Sequence, residues 1–460
     1  MAQADSTQAL RPVEVDSVPD RILEIDEIFI VGNSKTRERI IMREISLNRG
    51  EKLYRSDILE QLEADRNRLV NLRLFLTVDI RLIDDRPAKA NIMIRVTERW
   101  YIFPIPIFKL ADRNFNEWWS NQGRDLKRVN YGLKFYHYNM RGRGERLRLI
   151  AQGGFTRRYE LTYYMPYIDR QQKNGLTVGV SFNETKNMAI RSEDHRQVFF
   201  SSDRILQQVV TTDLNYSHRE SFHNFHNFRL GYRGVNVTDT VLAANPNYLN
   251  AGRNRQRYLF FEYRFRRDFR NNVAYPLSGW LLEARALKSG LGLVKELDLY
   301  RVEVNYSRYL DLGKGFYFGG NIKGRMSNLS PPPYYNFSGL GYGSDQVRGF
   351  ELNVIESQYF VLNRYTLKKR LFDTKAKLGF VPFKQFRNIP LAVYFKVYYD
   401  NAYAGNDFLY EGNTRLTNRY LFGYGAGFDI VSFYDFVWRI EYSMNSEMEH
   451  GLFLNFRADF

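Results

Sequence analysis

The chain has 460 residues, a net charge of +16, 33 Tyr, 35 Phe and no Cys, and its mean hydropathy is -0.47. No apolar run approaches the roughly 18 residues a helical span requires, so helical membrane crossing is excluded. The lack of cysteine excludes disulfides and thiolate chemistry, and the many aromatics exceed what a soluble core needs.

Residues 1–20 are polar, hold two prolines and show no periodicity, as in a flexible lead-in. No leader is visible at Met1-Ala-Gln-Ala-Asp5. A cytosolic chain, or a mature chain whose leader has been removed, fits that start. Ile22 to Val31 reads as a strand, and Gly32-Asn33 as a turn. Ser34 or Thr36 is placed to cap a helix ending near Glu44, before a break at Leu47-Asn-Arg-Gly50. Ser56 is placed to cap a second helix with an apolar stripe of Ile58, Leu59, Leu62, Leu69 and Leu72. Strands near 74–83 and 90–97 follow, joined through Asp84 to Pro87. The order β-α-α-β-β predicts a small α+β domain over residues 21–99.

From residue 100 onward no helical signal of any length is visible, and alternation of period two dominates. In Tyr258 to Arg266, Leu259, Phe261, Tyr263 and Phe265 oppose Glu262, Arg264 and Arg266. In Tyr300 to Ser307, Tyr300, Val302, Val304 and Tyr306 oppose Arg301, Glu303 and Asn305. Trp438, Ile440 and Tyr442 oppose Arg439, Glu441 and Ser443. The last strand places Leu452, Leu454, Phe456, Ala458 and Phe460 on one face, with Asn455, Arg457 and Asp459 on the other. An oily face opposite a charged one fits lipid outside and a hydrated lumen inside. A propeller would repeat every 40–50 residues or so, and no such repeat is visible. Some 360 residues at roughly 22 per strand and loop give about 16 antiparallel strands, an even number that can close into a transmembrane β-barrel over residues 100–460. The first strand is expected near Tyr131 to Tyr138.

Charge follows the same division. Residues 1–98 hold 16 Lys and Arg against 18 Asp and Glu, and the rest hold 51 against 33. The basic residues alternate with aromatics along strands and do not cluster on a helix or loop. That favours lumen lining or anionic lipid headgroups over nucleic acid as their partner.

Asp345-Gln-Val-Arg-Gly-Phe-Glu351 is the sharpest local signal. It follows Pro331-Pro-Pro and Gly339-Leu-Gly-Tyr-Gly343 within a long segment between strands, which a compact chain keeps only if it packs somewhere definite. Asp400 shares a strand face with Ala392, Tyr394, Lys396 and Tyr398 and therefore points into the lumen. His223 and His226 are three apart and would face opposite ways on a strand. No His/Cys set has metal spacing, and no Gly-x-Ser-x-Gly or phosphate loop is present. No metal, cofactor or catalytic site is expected. Asn174-Gly175 reads as a hairpin turn.

Residues Ile28 to Thr36, Ile41-Met-Arg-Glu44, Gly50, Tyr54, Leu69, Leu72, Phe75 and Val96-Thr-Glu98 resemble a POTRA domain, a periplasmic polypeptide-binding module, with Gly32, Asn33 and Gly50 as its fold motif. Asn139-Met-Arg-Gly-Arg-Gly144, Met165-Pro-Tyr167, Arg267-Asp-Phe-Arg270, Tyr275-Pro-Leu-Ser-Gly279, Val347-Arg-Gly-Phe350 and the terminal aromatic strand occur in the order found in the BamA/TamA-like outer-membrane barrel-assembly family. The resemblance covers about residues 22–460.

The resemblance implies an outer-membrane barrel with a periplasmic N-terminal domain that inserts or translocates polypeptides. Its POTRA unit would bind clients by β-augmentation, and its first and last strands would form a lateral gate. Val347, Arg348, Gly349 and Phe350 would dock the long loop inside the barrel, with Asp400 as the partner of Arg348. Leu452, Leu454, Phe456 and Phe460 would form a sorting strand. The partners implied are unfolded outer-membrane or secreted polypeptides, outer-membrane lipid or lipopolysaccharide, and accessory envelope proteins. A pore dedicated to one passenger, or a structural envelope subunit without insertase activity, fits the same residues. The chain departs from the family where a Glu-x-Arg strand is expected: Tyr365-Thr-Leu-Lys368 carries no acid.

Overall fold

The computed structural model describes residues 20–84, 86–110, 129–249, 252–293, 297–328, 333–377, 388–408, 411–432 and 435–457. The lead-in 1–19 and Phe460 lie outside the described residues.

The N-terminal unit contains β1 (Ile22–Val31), α1 (Glu38–Met42), β2 (Lys52–Tyr54), α2 (Arg55–Asn71), β3 (Phe75–Ile83) and β4 (Lys89–Glu98). Its sheet order is β2-β1-β4-β3, with β1 parallel to β4. Strand β2 was not expected, because three residues are too few to display an alternation. Ile25, Ile41, Ile58, Leu69, Ile92 and Ile94 are buried together between the helices and the sheet.

The expected caps are corrected. Helix α1 starts after Arg37 without a side-chain cap. Ser34 and Thr36 instead donate to the Glu98 carboxylate, at 2.8 and 2.6 Å. The first turn of α2 is held from outside: Asp20 accepts from the Ser56 backbone N–H and hydroxyl, at 3.0 and 2.9 Å.

A second sheet takes up most of the remaining chain. Its first half runs through β5 (Ile102–Leu110), β6 (Val129–Met140), β7 (Glu145–Gly154), β8 (Arg157–Met165) and β9 (Asn174–Thr185). A small hairpin of β10 (Asn187–Glu193) and β11 (Arg196–Ser201) leaves it, and β12 (Gln207–Arg219) and β13 (Asn224–Val237) resume it. Helix α3 (Asp239–Ala244) precedes β14 (Arg255–Asp268), β15 (Gly279–Ser289), β16 (Leu299–Gly313) and β17 (Phe316–Ser327). The long segment that follows carries the short ladder of β18 (Gly339–Leu340) and β19 (Ile355–Glu356). Strands β20 (Tyr359–Lys377), β21 (Asn388–Gly405), β22 (Arg419–Ser432), β23 (Val437–Asn445) and β24 (His450–Arg457) complete the sheet. It has 16 antiparallel strands in chain order, with β5 and β24 at its ends.

Burial is the reverse of a soluble protein's. Tyr300, Val302, Val304, Trp438, Tyr442, Leu452 and Leu454 are exposed on the outer face, while Glu262, Lys396, Asp400, Asp429 and Glu441 are buried inside. The period-two pattern therefore separates lipid from lumen.

Three expectations on the barrel are corrected. The first strand is β5, and Tyr131 to Tyr138 belongs to the second. Pro104 and Pro106 hid β5 from a propensity reading, but proline is tolerated on an edge strand. Asn174-Gly175 does not form the turn; it opens β9, and Asp169 accepts from the Asn174 N–H at 2.9 Å. Short helical turns do occur after residue 100, in α3 and at Tyr334–Asn336, both within connections between strands.

Candidate functional site

The segment between β17 and β20 folds inward and is held by several strands. Lys323 on β17 pairs with Asp345 at 2.8 Å. Arg364 on β20 donates to the Gln346 carbonyl at 2.8 Å. Val347 and Phe350 are buried with Leu340, Phe360, Leu362 and Leu421. Between these two apolar anchors, Arg348 meets the barrel wall.

Asp400 is fully buried on β21. It accepts from Arg348 Nε at 2.8 Å, Nη2 at 2.5 Å and the Arg348 backbone N–H at 3.1 Å. The Arg348 guanidinium also lies 3.9 Å from the centre of the Tyr398 ring. The acid missing from Tyr365-Thr-Leu-Lys368 is supplied from elsewhere: Glu441 on β23 lies 3.7 Å from Arg348 Nη1. Thr366, within the acid-free run, accepts from Nη2 at 3.1 Å. Glu441 also binds Lys396 at 2.7 Å, and Lys396 binds Asp429 at 2.5 Å. Tyr275, from the Tyr-Pro-Leu-Ser-Gly motif, donates to Asp429 at 2.9 Å. These contacts link two motifs far apart in the chain into one ionic floor beneath the loop.

Gly349 has φ +99°, and a Cβ there would lie 3.0 Å from the Asn445 Cβ. Asn445 donates to the Gly349 carbonyl at 2.8 Å. On β22, a Cβ at Gly423 would overlap the Arg348 carbonyl oxygen. Gly423 was missed in the sequence, although alternate glycines at 423, 425 and 427 mark a strand face approached by other backbone.

Farther along, His195 locks the same segment from the β10–β11 turn. Its backbone carbonyl accepts from the Val354 N–H at 2.7 Å. Its Nε2 accepts from the Leu416 N–H at 2.9 Å, which leaves the proton on Nδ1, 3.2 Å from the Val354 carbonyl. Burial pushes this imidazole below its usual pKa.

At the opposite rim the N-terminal unit contacts the barrel. Arg219, at the end of β12, makes a two-pronged pair with Glu44, at 2.6 and 2.5 Å. Asn139 donates to the Thr36 hydroxyl at 2.8 Å, and Arg99 to Asp435 at 2.9 Å. Burial acts to raise the Glu44 pKa, but the hydrogen-bonded Arg219 outweighs it and holds the carboxyl below its usual value. Gly32 has φ +97°, and a Cβ there would overlap the Val96 carbonyl; Gly50 has φ +82° in an open turn. Asn33 donates to the Thr36 carbonyl at 3.2 Å. His223 and His226 engage the Asp268 carbonyl and the Tyr263 hydroxyl separately.

The family model described as the Omp85 superfamily domain matches residues 139–449. The chain belongs to the Omp85 superfamily. The surface antigen variable number repeat model, a POTRA unit, matches residues 23–99 of this Omp85 chain. Among solved structures, BamA from Haemophilus ducreyi lacking POTRA domains 1–3 is similar, with a TM-score of 0.51 and 14% identity, over 94% of this chain and 83% of that one. CdiB from Escherichia coli is similar with a TM-score of 0.53 and 12% identity, over 94% and 75%. CdiB from Acinetobacter baumannii gives 0.51 and 12%, over 95% and 73%. No curated protein sequence matches significantly. An Omp85 barrel belongs to the outer membrane, in a family of non-enzymatic polypeptide insertion and translocation.

Leu452 and Leu454 face outward on β24, which pairs only with β23 among the described residues, and the backbone of Phe456 continues that strand. Strand β5 likewise pairs only with β6. No ladder joins β5 to β24 among the described residues.

Proposed function

We propose that this Omp85 barrel inserts and assembles client polypeptides in the outer membrane, with the β5/β24 seam as a lateral gate. The observation that carries this reading is the sheet itself: 16 strands whose two terminal members have unpaired outer edges in the described residues. Such edges offer backbone donors and acceptors to an extended client. The N-terminal domain faces the periplasm and captures clients first. Its outer strands are β2 and β3, and the nine residues of β3 make the longer docking edge. The loop pinned through Val347, Arg348, Gly349 and Phe350 to Asp400 braces the lumen wall while the seam moves. Lipid or lipopolysaccharide surrounds the outer face, and accessory envelope proteins are further partners.

Depletion of the chain followed by outer-membrane proteomics tests this. Loss of many barrel proteins supports an insertase. Loss of a single protein replaces that reading with a dedicated secretion pore, and an unchanged barrel population with a structural envelope subunit.

A further inference from the structure

The joint between the N-terminal domain and the barrel holds a cavity of about 800 Å³. One wall comes from α1 and α2. The other comes from the turns β6–β7, β8–β9, β12–β13 and β14–β15 and the lumen faces of the strands they join. The charge of this lining is lopsided: among the described residues, nine Lys and Arg stand against two carboxylates, Glu44 and Asp268. Both carboxylates are already engaged. Glu44 takes Arg219 and, at 3.0 Å, Arg43. Asp268 takes Arg266 and, at 2.7 Å, Arg270. The lumen cavity beneath the docked loop differs, for its nine cations stand against five carboxylates, among them Asp345, Asp429 and Glu441.

Several of the joint's cations therefore lack an acid. Arg146 on β7 and Lys173 just before β9 are exposed, line the cavity and make no ion pair with a carboxylate among the described residues. Arg146 rests over Tyr164, 5.4 Å from the ring centre. The Arg266 Nε is buried without a hydrogen-bond partner. Cations also meet across the joint. The guanidinium groups of Arg68, from the domain, and Arg219, from the barrel, lie 4.1 and 5.6 Å from the centre of one ring, Phe222. Like charges gathered this closely repel, and more strongly beside a low-dielectric wall than in open water. A multivalent anion among them removes that repulsion.

We propose that this cavity binds a small multivalent anion carrying phosphate groups, which bridges the N-terminal domain and the barrel. Its volume lies in the range of small-ligand pockets. Arginine forks suit phosphate oxygens, which accept paired, charge-assisted hydrogen bonds. The cations converge from both bodies, so one compact ligand touches both. An acidic strand would space its single charges along the chain, which suits a long groove better than a cavity walled on two sides. Two sources carry the phosphate chemistry: a soluble phosphate compound and the headgroup of an anionic phospholipid. The site stands whether or not the β5/β24 seam opens.

The test uses the detergent-solubilised full chain, with inorganic pyrophosphate as probe and calorimetry at low ionic strength as readout. Saturable binding is expected, and R146Q/K173Q should weaken it several-fold without touching any ion pair of the fold. R191Q/R204Q removes the same charge from the exposed β10–β11 region and should bind as the native chain does. No binding by the native chain, or equal loss in both double variants, overturns the site. Binding of a glutamate peptide in place of pyrophosphate overturns it in favour of an acidic segment. A second arm exploits the absence of native cysteine. Spin labels at Glu60→Cys on α2 and Glu220→Cys after β12, both exposed positions, should give a narrower distance distribution once pyrophosphate is added. Binding with an unchanged distribution overturns the bridging role. Nanodiscs separate the sources: narrowing in phosphatidylglycerol but not phosphatidylcholine, with no pyrophosphate present, assigns the site to a lipid headgroup, and narrowing only with pyrophosphate assigns it to a soluble ligand.

Discussion

Arg348 and Asp400, 52 residues apart in the chain, meet through two side-chain hydrogen bonds of 2.8 and 2.5 Å inside the barrel. Asp400 is fully buried and Glu441 stands on the far side of the same guanidinium. One cation is therefore shared by two strands, β21 and β23. Removing one carboxylate leaves the other in reach.

Asp400→Asn is expected to destabilise the folded-in loop by less than the roughly 3–5 kcal/mol typical of a broken buried pair. The double variant Asp400→Asn/Glu441→Gln should cost more than the two single variants added together, because only then is Arg348 left without an acid. Protease protection of residues 344–358 and heat-modifiable gel migration read both effects. Strict additivity would show that Glu441 does not share the load.

Gly423→Ala should expel the loop while leaving strand β22 paired. A methyl group there overlaps the Arg348 carbonyl, and overpacking of this kind typically costs about 1–3 kcal/mol. Gly324→Ala, where a Cβ meets nothing within 4 Å, is the matched control. Loop protection should fall in the first variant and hold in the second.

His195 should make the contacts of the β10–β11 turn with Val354 and Leu416 acid-sensitive. Its folded pKa lies below its unfolded value, so the neutral ring is the form the fold stabilises. That contribution is full above the ordinary histidine value of about 6.5 and is lost as pH falls through the lower folded value. Hydrogen-exchange protection at Val354 and Leu416, measured against the intrinsic exchange rate at each pH, should fall between neutral and mildly acidic pH. His195→Gln should flatten that dependence, and an unchanged profile in the variant would assign it to another group.

Glu44 and Arg219 should set the contact between the N-terminal domain and the barrel. The Glu44 carboxyl is held below its usual pKa, so the contribution is present above about pH 4.3 and is lost as pH falls through the folded value. Glu44→Gln is expected to loosen the contact at neutral pH as well. Spin-label distances between the domain and the barrel should broaden in the variant and, in the native chain, only in acid.

Local alternation made the outer and inner faces of the strands readable. Leu452 and Leu454, Tyr300 to Tyr306, and Trp438 to Tyr442 fall on the outer face that their spacing predicts. Alternation put Asp400 on the lumen face and motif order singled out Val347 and Arg348, while the contact between Arg348 and Asp400 is seen only in the fold. Glu441 was already assignable to the lumen face, but nothing local ties it to Arg348. Strand β5 was overlooked because two prolines argue against a strand unless an edge position excuses them. Ser34, Thr36 and Ser56 look like helix caps by spacing, yet they bind Glu98 and Asp20. Those partners are 64, 62 and 36 residues away along the chain.

The sequence by itself determined that this chain crosses a membrane with strands, because a period of two records which side of a sheet each residue faces. It also determined that a small α+β unit precedes those strands, through the change to helical spacing. Only the tertiary structure decided which acid completes the Arg348 site, that Gly423 must be bare, and which strand begins the sheet. Periodicity is local and survives in the sequence. Which strand lies beside which, and which edge a backbone N–H faces, is set only when distant segments pair.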